Sequence, residues 1–325
     1  MRHAGKFAVA GLALAAALPA LAFPPAPAEG TKDQKIVFTS LDSQNKKIGV
    51  GIMNADGTKR TLLSAENPDK GELDPALSPD GKHIVFIAAS VKDKKIEVWV
   101  MKADGSDRKK LTDIPEQTFA MTPAWSPDGK RIAYAQMKMD GDGPPPDADL
   151  MVMDADGKNG KSLGKGSLPA FSPDGKKILY TVNKKTDDFD PRLHVMDADG
   201  KNGKELVKSH SMMGAWSPDG KHIAYLGAES EGGKVKPHVY TCKADGSDPT
   251  ALTKGDEGEI GVLWSADGKR LFVNRVKLDG GRPKSAAIWV MDADGKNEKQ
   301  VSKDEGMDLL SASSFFLPRS APRKP

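Results

Sequence analysis

The tetrapeptide Ser-Pro-Asp-Gly returns four times, at Ser78–Gly81, Ser126–Gly129, Ser172–Gly175 and Ser217–Gly220, and a fifth copy, Ser265–Gly268, has lost only its proline. The copies lie roughly 45 to 50 residues apart, a period that belongs to repeat arrays and propellers rather than to one mixed core. After each comes a basic pair and an apolar strand, such as Lys130-Arg131-Ile132-Ala133-Tyr134. Before each comes a second short strand, such as Pro123-Ala124-Trp125. The tetrapeptide is therefore a hairpin turn. Its serine bonds the local backbone, proline presets φ, and glycine accepts a left-handed conformation.

A second turn, Ala-Asp-Gly, recurs six times, ending at Gly57, Gly105, Gly157, Gly200, Gly246 and Gly295. It follows a strand whose neighbouring columns are both apolar: Met53, Met101, Met153, Met196, Cys242 and Met291, then Ile52, Val100, Val152, Val195, Thr241 and Val290. Adjacent strand positions face opposite ways, so this strand must be covered on both sides. One strand on each side of both turns makes four antiparallel strands per repeat, the blade of a β-propeller. No repeat holds an amphipathic stretch long enough for a helix pair.

The expected fold class is all-β: a six-bladed β-propeller with four antiparallel strands per blade. Six Ala-Asp-Gly turns stand against five of the first kind, so the blade beginning at Lys35-Ile36-Val37-Phe38 lacks its first strand. The stretch ending at Ser314 has the spacing to supply it. Ser314 follows Gly295 by the same interval that separates Ser265 from Gly246. The C-terminal strand then completes the N-terminal blade and leaves no open edge.

The ends read differently. Arg2 and Lys6 precede an apolar run, Phe7 to Leu21, and an Ala20-Leu21-Ala22 cleavage site followed by Phe23-Pro24-Pro25. That is the pattern of a secretory signal peptide, too short and wrongly flanked for a membrane span. Four segments follow: signal peptide 1–22, Pro-rich flexible leader 23–34, propeller 35–317 and basic tail 318–325. Losing Arg2 and Lys6 takes two charges from the formal net +3, leaving +1. That balance gives no basic surface for nucleic acid. No second apolar run reaches spanning length, and the single Cys242 allows no internal disulfide. The expected location is periplasmic or secreted.

Within the repeats, the segments Ala-Trp-Ser-Pro-Asp-Gly-Lys-x-Ile-Ala-Tyr and Met-Asp-Ala-Asp-Gly resemble the propeller repeats of the TolB family, a WD-like group, over most of Lys35 to Ser314. The resemblance implies a propeller working in the cell envelope. TolB proteins carry an α/β domain ahead of the propeller, and residues 23–34 are too few for one. The expectation is a propeller alone, so the family's role in the Tol machinery does not carry over with the fold.

Chemistry must lie in what differs between repeats. Gly160-Lys161-Ser162-Leu163-Gly164 has nucleophile-elbow spacing, but Ser162 sits in an outer strand rather than a strand-to-helix turn. The Asp-Ala-Asp-Gly turns lack the bidentate glutamate of a calcium loop. No catalytic residue, metal ligand or cofactor site is expected. The segments between repeats are acid-rich, with Glu72, Asp74, Glu116, Asp256, Glu257, Glu259, Asp304, Glu305 and Asp308, and Phe119, Met121, Met212 and Met213 supply apolar anchors. These thirteen residues form the expected partner-binding set on the variable-loop face. The expected function is a non-catalytic, monomeric platform for an envelope protein or peptide, favouring a basic partner. The alternatives are a metal-assisted enzyme of the polysaccharide lyase or lactonase type, and a sensor propeller separated from a peptidase or signalling partner.

Overall fold

The computed structural model describes residues 34–42, 47–64, 70–90, 94–138, 147–184, 190–231, 234–255, 257–279, 282–302 and 307–310. The signal-peptide segment, nearly all of the leader, and residues 311–325 lie outside them.

All five first-type turns share one construction. The serine hydroxyl donates to the aspartate two residues on at 2.6 Å and accepts the amide five residues on at 2.9 Å. The same carboxylate accepts the amide two residues beyond it at 3.0 Å. The copy with Ala266 keeps every bond, so serine, aspartate and glycine define the turn, and proline only prestiffens it. The serine hydroxyl is the leading cause holding the carboxyls of Asp80, Asp128, Asp174 and Asp219 below the usual aspartate range.

A depressed folded-state pKa adds stability that is present above the unfolded value and is lost as pH falls through the folded one. The melting temperature is therefore expected to hold from neutral pH down to about 4 and to fall below it. Changing Ser126 and Ser172 to alanine should flatten that fall. Calorimetry at a series of pH values checks it, and an unchanged slope in the double variant would count against the turn carboxylates as its source.

Strands run in chain order and group by antiparallel pairing. The first group holds β1 (Lys35–Asp42), β2 (Lys47–Asn54) and β3 (Thr61–Leu62). The second holds β4 (Lys70–Leu77), β5 (His83–Ser90), β6 (Lys95–Lys102) and β7 (Lys109–Lys110). The third holds β8 (Thr118–Trp125), β9 (Arg131–Lys138), β10 (Asp149–Asp154) and β11 (Lys161–Lys165). The fourth holds β12 (Ser167–Phe171), β13 (Lys177–Asn183), β14 (Pro191–Asp197) and β15 (Lys204–Glu205). The fifth holds β16 (Ser211–Trp216), β17 (His222–Glu231), β18 (Lys234–Lys243) and β19 (Thr250–Ala251). The sixth holds β20 (Gly258–Trp264), β21 (Arg270–Asp279), β22 (Arg282–Asp292) and β23 (Lys299–Gln300).

The last strand, β24 (Met307–Leu310), pairs antiparallel with β1 from Phe38↔Leu310 to Leu41↔Met307. It supplies the fourth strand of the first group. Single parallel pairs, Ile96↔Phe119 and Ala286↔Met307, join two of the groups into one eight-stranded sheet each. The architecture is an all-β propeller of four-stranded blades.

The inner strand of each blade begins earlier than the residue pattern suggests, at Lys70, Thr118, Ser211 and Gly258 rather than at the three residues before the turn. A register shift interrupts it, between Leu73 and Ala76, Met121 and Ala124, Ser167 and Ala170, Met212 and Ala215, and Glu259 and Gly261. Four of these bulges place a non-glycine residue at positive φ: Asp74 at 48°, Thr122 at 50°, Leu168 at 56° and Met213 at 57°. The bulge breaks the two-residue alternation, so the strand's first half reads in sequence as loop. Glu72, Asp74, Phe119, Met121, Met212, Met213, Glu259 and Asp308, expected in loops between blades, stand on strands instead.

Neighbouring blades are tied at the same columns. Trp125, Trp216 and Trp264 each donate Nε1–H to the carbonyl of the inner-strand alanine one blade back, Ala76, Ala170 and Ala215, at 3.1, 3.3 and 3.2 Å. Trp216→Phe keeps most of the apolar body and removes this tie, so a loss of about 1 kcal/mol is expected in denaturant unfolding. No loss beyond experimental error would show the bond to be replaced by water. Bulge amides are also held from the preceding blade. Thr39 accepts from the Asp74 amide at 3.0 Å, and fully buried Asn274 accepts from the Leu310 amide and donates to the Asp308 carbonyl at 2.8 Å. Asp74 and Leu310 thus occupy the same column, which places β24 in the register expected from the Gly295-to-Ser314 spacing.

Cys242 is buried in the core formed by Leu179, Leu193, Ile223 and Tyr225. Burial pushes its thiol up to about 12, so it stays protonated and unreactive at neutral pH.

Candidate binding site

Three carboxylates stand at one column of the inner strands, six residues before the turn serine: Asp308, Glu72 and Glu259. The other blades have Ala120, Gly166 and Ser211 there. All three acids are buried, at 4%, 8% and 2% exposure, so each needs internal partners. Hydroxyls from the preceding blade supply part of them. Ser64 accepts the Val50 amide at 2.6 Å and donates to Glu72 at 2.7 Å. Thr253 accepts the Val239 amide at 2.9 Å and donates to Glu259 at 3.0 Å.

Arginine supplies the rest, from two different places. In the first two blades it comes from the hairpin before the outer strand. Arg60 lies 5.0 Å over the Phe38 ring and grips Asp308 with two bonds, 3.1 and 2.8 Å. Arg108 lies 5.5 Å over Phe86, pairs with Glu72 and donates to the Leu63 carbonyl of the preceding blade at 2.6 Å. In the sixth blade that hairpin column holds Glu298. The arginine there is Arg275, opposite Glu259 on β21 and 5.0 Å from the Trp289 ring.

Arg275 bridges two carboxylates. It donates to Glu259 at 3.3 and 3.2 Å and to Glu298 at 3.2 and 2.6 Å. His238 Nδ1 stands 3.0 Å from the second Glu259 oxygen. Beside this network lies a cavity of about 290 Å³ between the fifth and sixth blades, lined by Leu252, Thr253, Lys254, Glu257, Glu259, Arg275, Gly295 and Glu298.

The residues expected to bind a partner therefore fall into distinct groups. Glu72, Glu259 and Asp308 have their carboxylates engaged between strands and blades. Asp74 is buried and accepts the Thr122 amide at 3.2 Å, and Met213 is buried in the core of the fifth and sixth blades. Phe119, Met121 and Met212 are half-buried, and Glu116 and Glu257 are exposed. Asp256, Asp304 and Glu305 lie outside the described residues. The structure brings Glu257 and Glu259 together at the cavity and adds Arg275, Glu298, His238 and Lys254, which sequence reading passed over. Stacking the repeats would have exposed them. The column three residues after each Ala-Asp-Gly glycine reads Arg60, Arg108, Gly160, Gly203, Pro249 and Glu298, with one sign reversal.

The Asp-Ala-Asp-Gly turns satisfy their own carboxylates. Asn159, Asn202 and Asn297 donate to Asp154, Asp197 and Asp292 at 2.6 Å. Among the described residues no group of three or more His, Cys, Asp or Glu side chains is placed to hold a metal ion. Nor is any described helix long and apolar enough to cross a membrane.

The model of the TolB beta propeller domain matches residues 27–188. This chain carries a TolB β-propeller domain. The Tol-Pal system protein TolB of Thioalkalivibrio sulfidiphilus is 27% identical over 90 residues, 26% of this chain and 19% of that protein. TolB from Acinetobacter baumannii superposes with a TM-score of 0.69 at 21% identity, covering 86% of this chain and 66% of that one. A TolB-like structure from Agrobacterium tumefaciens gives 0.58 at 17% identity, over 85% and 90%. The solved structures support the TolB-type propeller as fold, and the match spans less than a fifth of the curated relative's length.

Proposed function

We propose that this TolB-type propeller is an exported, non-catalytic platform that binds a protein or peptide partner in the cell envelope, and that it acts as a monomer. Export rests on the Arg2-to-Ala22 pattern, with cleavage after Ala22 and a periplasmic or secreted product. The ring is read as six blades closed by β24, supported by the pairing of β24 with β1 and by the close approach of Gly57 in the first blade to Val301 in the sixth.

The observation that carries the platform reading is the cleft between the fifth and sixth blades. Where the first two blades fill the equivalent place with their own arginine, this one presents Glu257 and Glu298 at 46% and 31% side-chain exposure beside a cavity. Partly exposed carboxylates beside a cavity suit recognition of a cationic partner.

The test is affinity capture from the envelope fraction of the native host at low and high salt. A saturable, salt-sensitive basic partner, competed by free propeller, is the expected result. Capture of nothing above background at low salt would overturn the platform reading. Turnover of an oligosaccharide or lactone by the purified protein would overturn its non-catalytic part.

A further inference from the structure

We infer that the cleft between the fifth and sixth blades is a pocket for one arginine side chain of a partner peptide, an inference that deepens the platform reading and rests on it. The chain itself shows how such a cleft takes arginine. Arg108 lies across an aromatic ring, pairs with the inner-strand acid and donates to the carbonyl of Leu63 in the preceding blade. In the sixth blade the inner-strand acid Glu259 and the Trp289 ring are already taken by Arg275, while Leu252, the residue at the column of Leu63, stands on the cavity wall. What differs is the hairpin position, which holds Glu298 instead of arginine.

Charge and acceptor capacity point the same way. Glu257, Glu259 and Glu298 face Arg275 and Lys254 around the cavity, leaving one excess negative charge. Each carboxylate offers about four acceptor sites. Glu259 takes two bonds from Arg275, one from Thr253 and the contact with His238, which fills it. Glu298 takes two from Arg275 and has capacity for a second guanidinium. Among the described residues Glu257 makes only a long ion pair with Arg275 at 3.8 Å, beyond hydrogen-bond distance, and its side chain is 46% exposed. Glu257 and Glu298 are the two recognition residues.

Size narrows the occupant. A volume of about 290 Å³ lies at the lower edge of the roughly 300–1,000 Å³ typical of small-molecule sites. It fits a side chain better than a whole ligand. A planar fork with five donors can engage two carboxylates at once, whereas an ammonium is a compact point charge that keeps its water. Arginine is therefore favoured over lysine.

The experiment titrates the full chain with capped Gly-Arg-Gly and Gly-Lys-Gly peptides, followed by calorimetry and by amide chemical shifts. The arginine peptide should bind saturably and about tenfold or more tighter than the lysine peptide, and Glu257→Gln and Glu298→Gln should each weaken it about tenfold. Glu298→Arg, which puts the first two blades' own residue back into the column, should abolish binding. Glu257→Gln guards against a folding artefact, because its side chain is 46% exposed and its ion pair with Arg275 is long at 3.8 Å.

Equal affinity for the two peptides, no saturable binding, or unchanged binding in Glu257→Gln and Glu298→Arg would each overturn the inference. The two readings fail separately. Envelope capture that survives Glu298→Arg unchanged leaves the platform standing and removes the pocket. Arginine binding with nothing captured from the envelope does the reverse.

Discussion

A chain stopped after Gly306 is expected to lose most of its stability, while one stopped after Leu317, which keeps every described strand, should melt close to the full-length protein. The first deletion removes β24 and with it four register pairs on β1. Leu309 and Leu310, at 7% and 1% exposure, leave the core, each contributing about 1.5–3 kcal/mol of burial. Asn274, with no exposed surface, is left without the Leu310 amide and Asp308 carbonyl. An orphaned buried polar group costs about 1–3 kcal/mol. Arg60 also loses both bonds to Asp308. Together these reach the lower end of the 5–15 kcal/mol that holds an ordinary domain together. Scanning calorimetry on the two truncations decides it, and equal melting temperatures would contradict β24 as the completing strand.

The second large effect lies at the same seam. Gly57 has φ of +82°, and a Cβ there would meet the Val301 carbonyl well inside the 3.0 Å that Cβ contacts respect. The obstacle is backbone, which cannot rotate aside. Gly57→Ala therefore incurs both the left-handed cost of about 1–2 kcal/mol and a forced separation of the first and sixth blades, for a total of about 3 kcal/mol or more. Gly81→Ala is the control. Its φ of +69° carries the first cost, but nothing stands within 4 Å of the new atom, so about 1–2 kcal/mol is expected. Denaturant unfolding of the two variants separates strain from collision. If both lose the same amount, the packing of one blade's turn onto its neighbour is looser than described.

The fold was legible because its signals are local and repeated. Ser-Pro-Asp-Gly and Ala-Asp-Gly fix turns by side-chain-to-backbone bonds within a few residues, and the strands between them announce burial on both faces. The inner strands were only half legible. A bulge at Asp74, Thr122, Leu168 and Met213 inverts the alternation partway along, so their first halves resembled polar loops, and acids now engaged inside the ring looked solvated.

The site was the least legible part. In sequence Glu257 and Glu259 stand out by charge alone, and nothing within their own segment indicates that Arg275, sixteen residues after Glu259, and Glu298 converge there. Such convergence depends on how blades stack, which appears in sequence only when the repeats are aligned and the odd member of a column is noticed.

The pairing of β1 with β24 joins the two most distant described strands of the sequence. Local hairpins can close on their own, but the first blade must wait for β24, which follows every other described strand, before its fourth member is in place. Such distant pairing slows folding, because a long loop has to be ordered before any contact rewards it. Until β24 docks, β1 shows an unsatisfied flank to whatever is nearby, so the vulnerable species is the one whose local hairpins have formed while this last pairing has not.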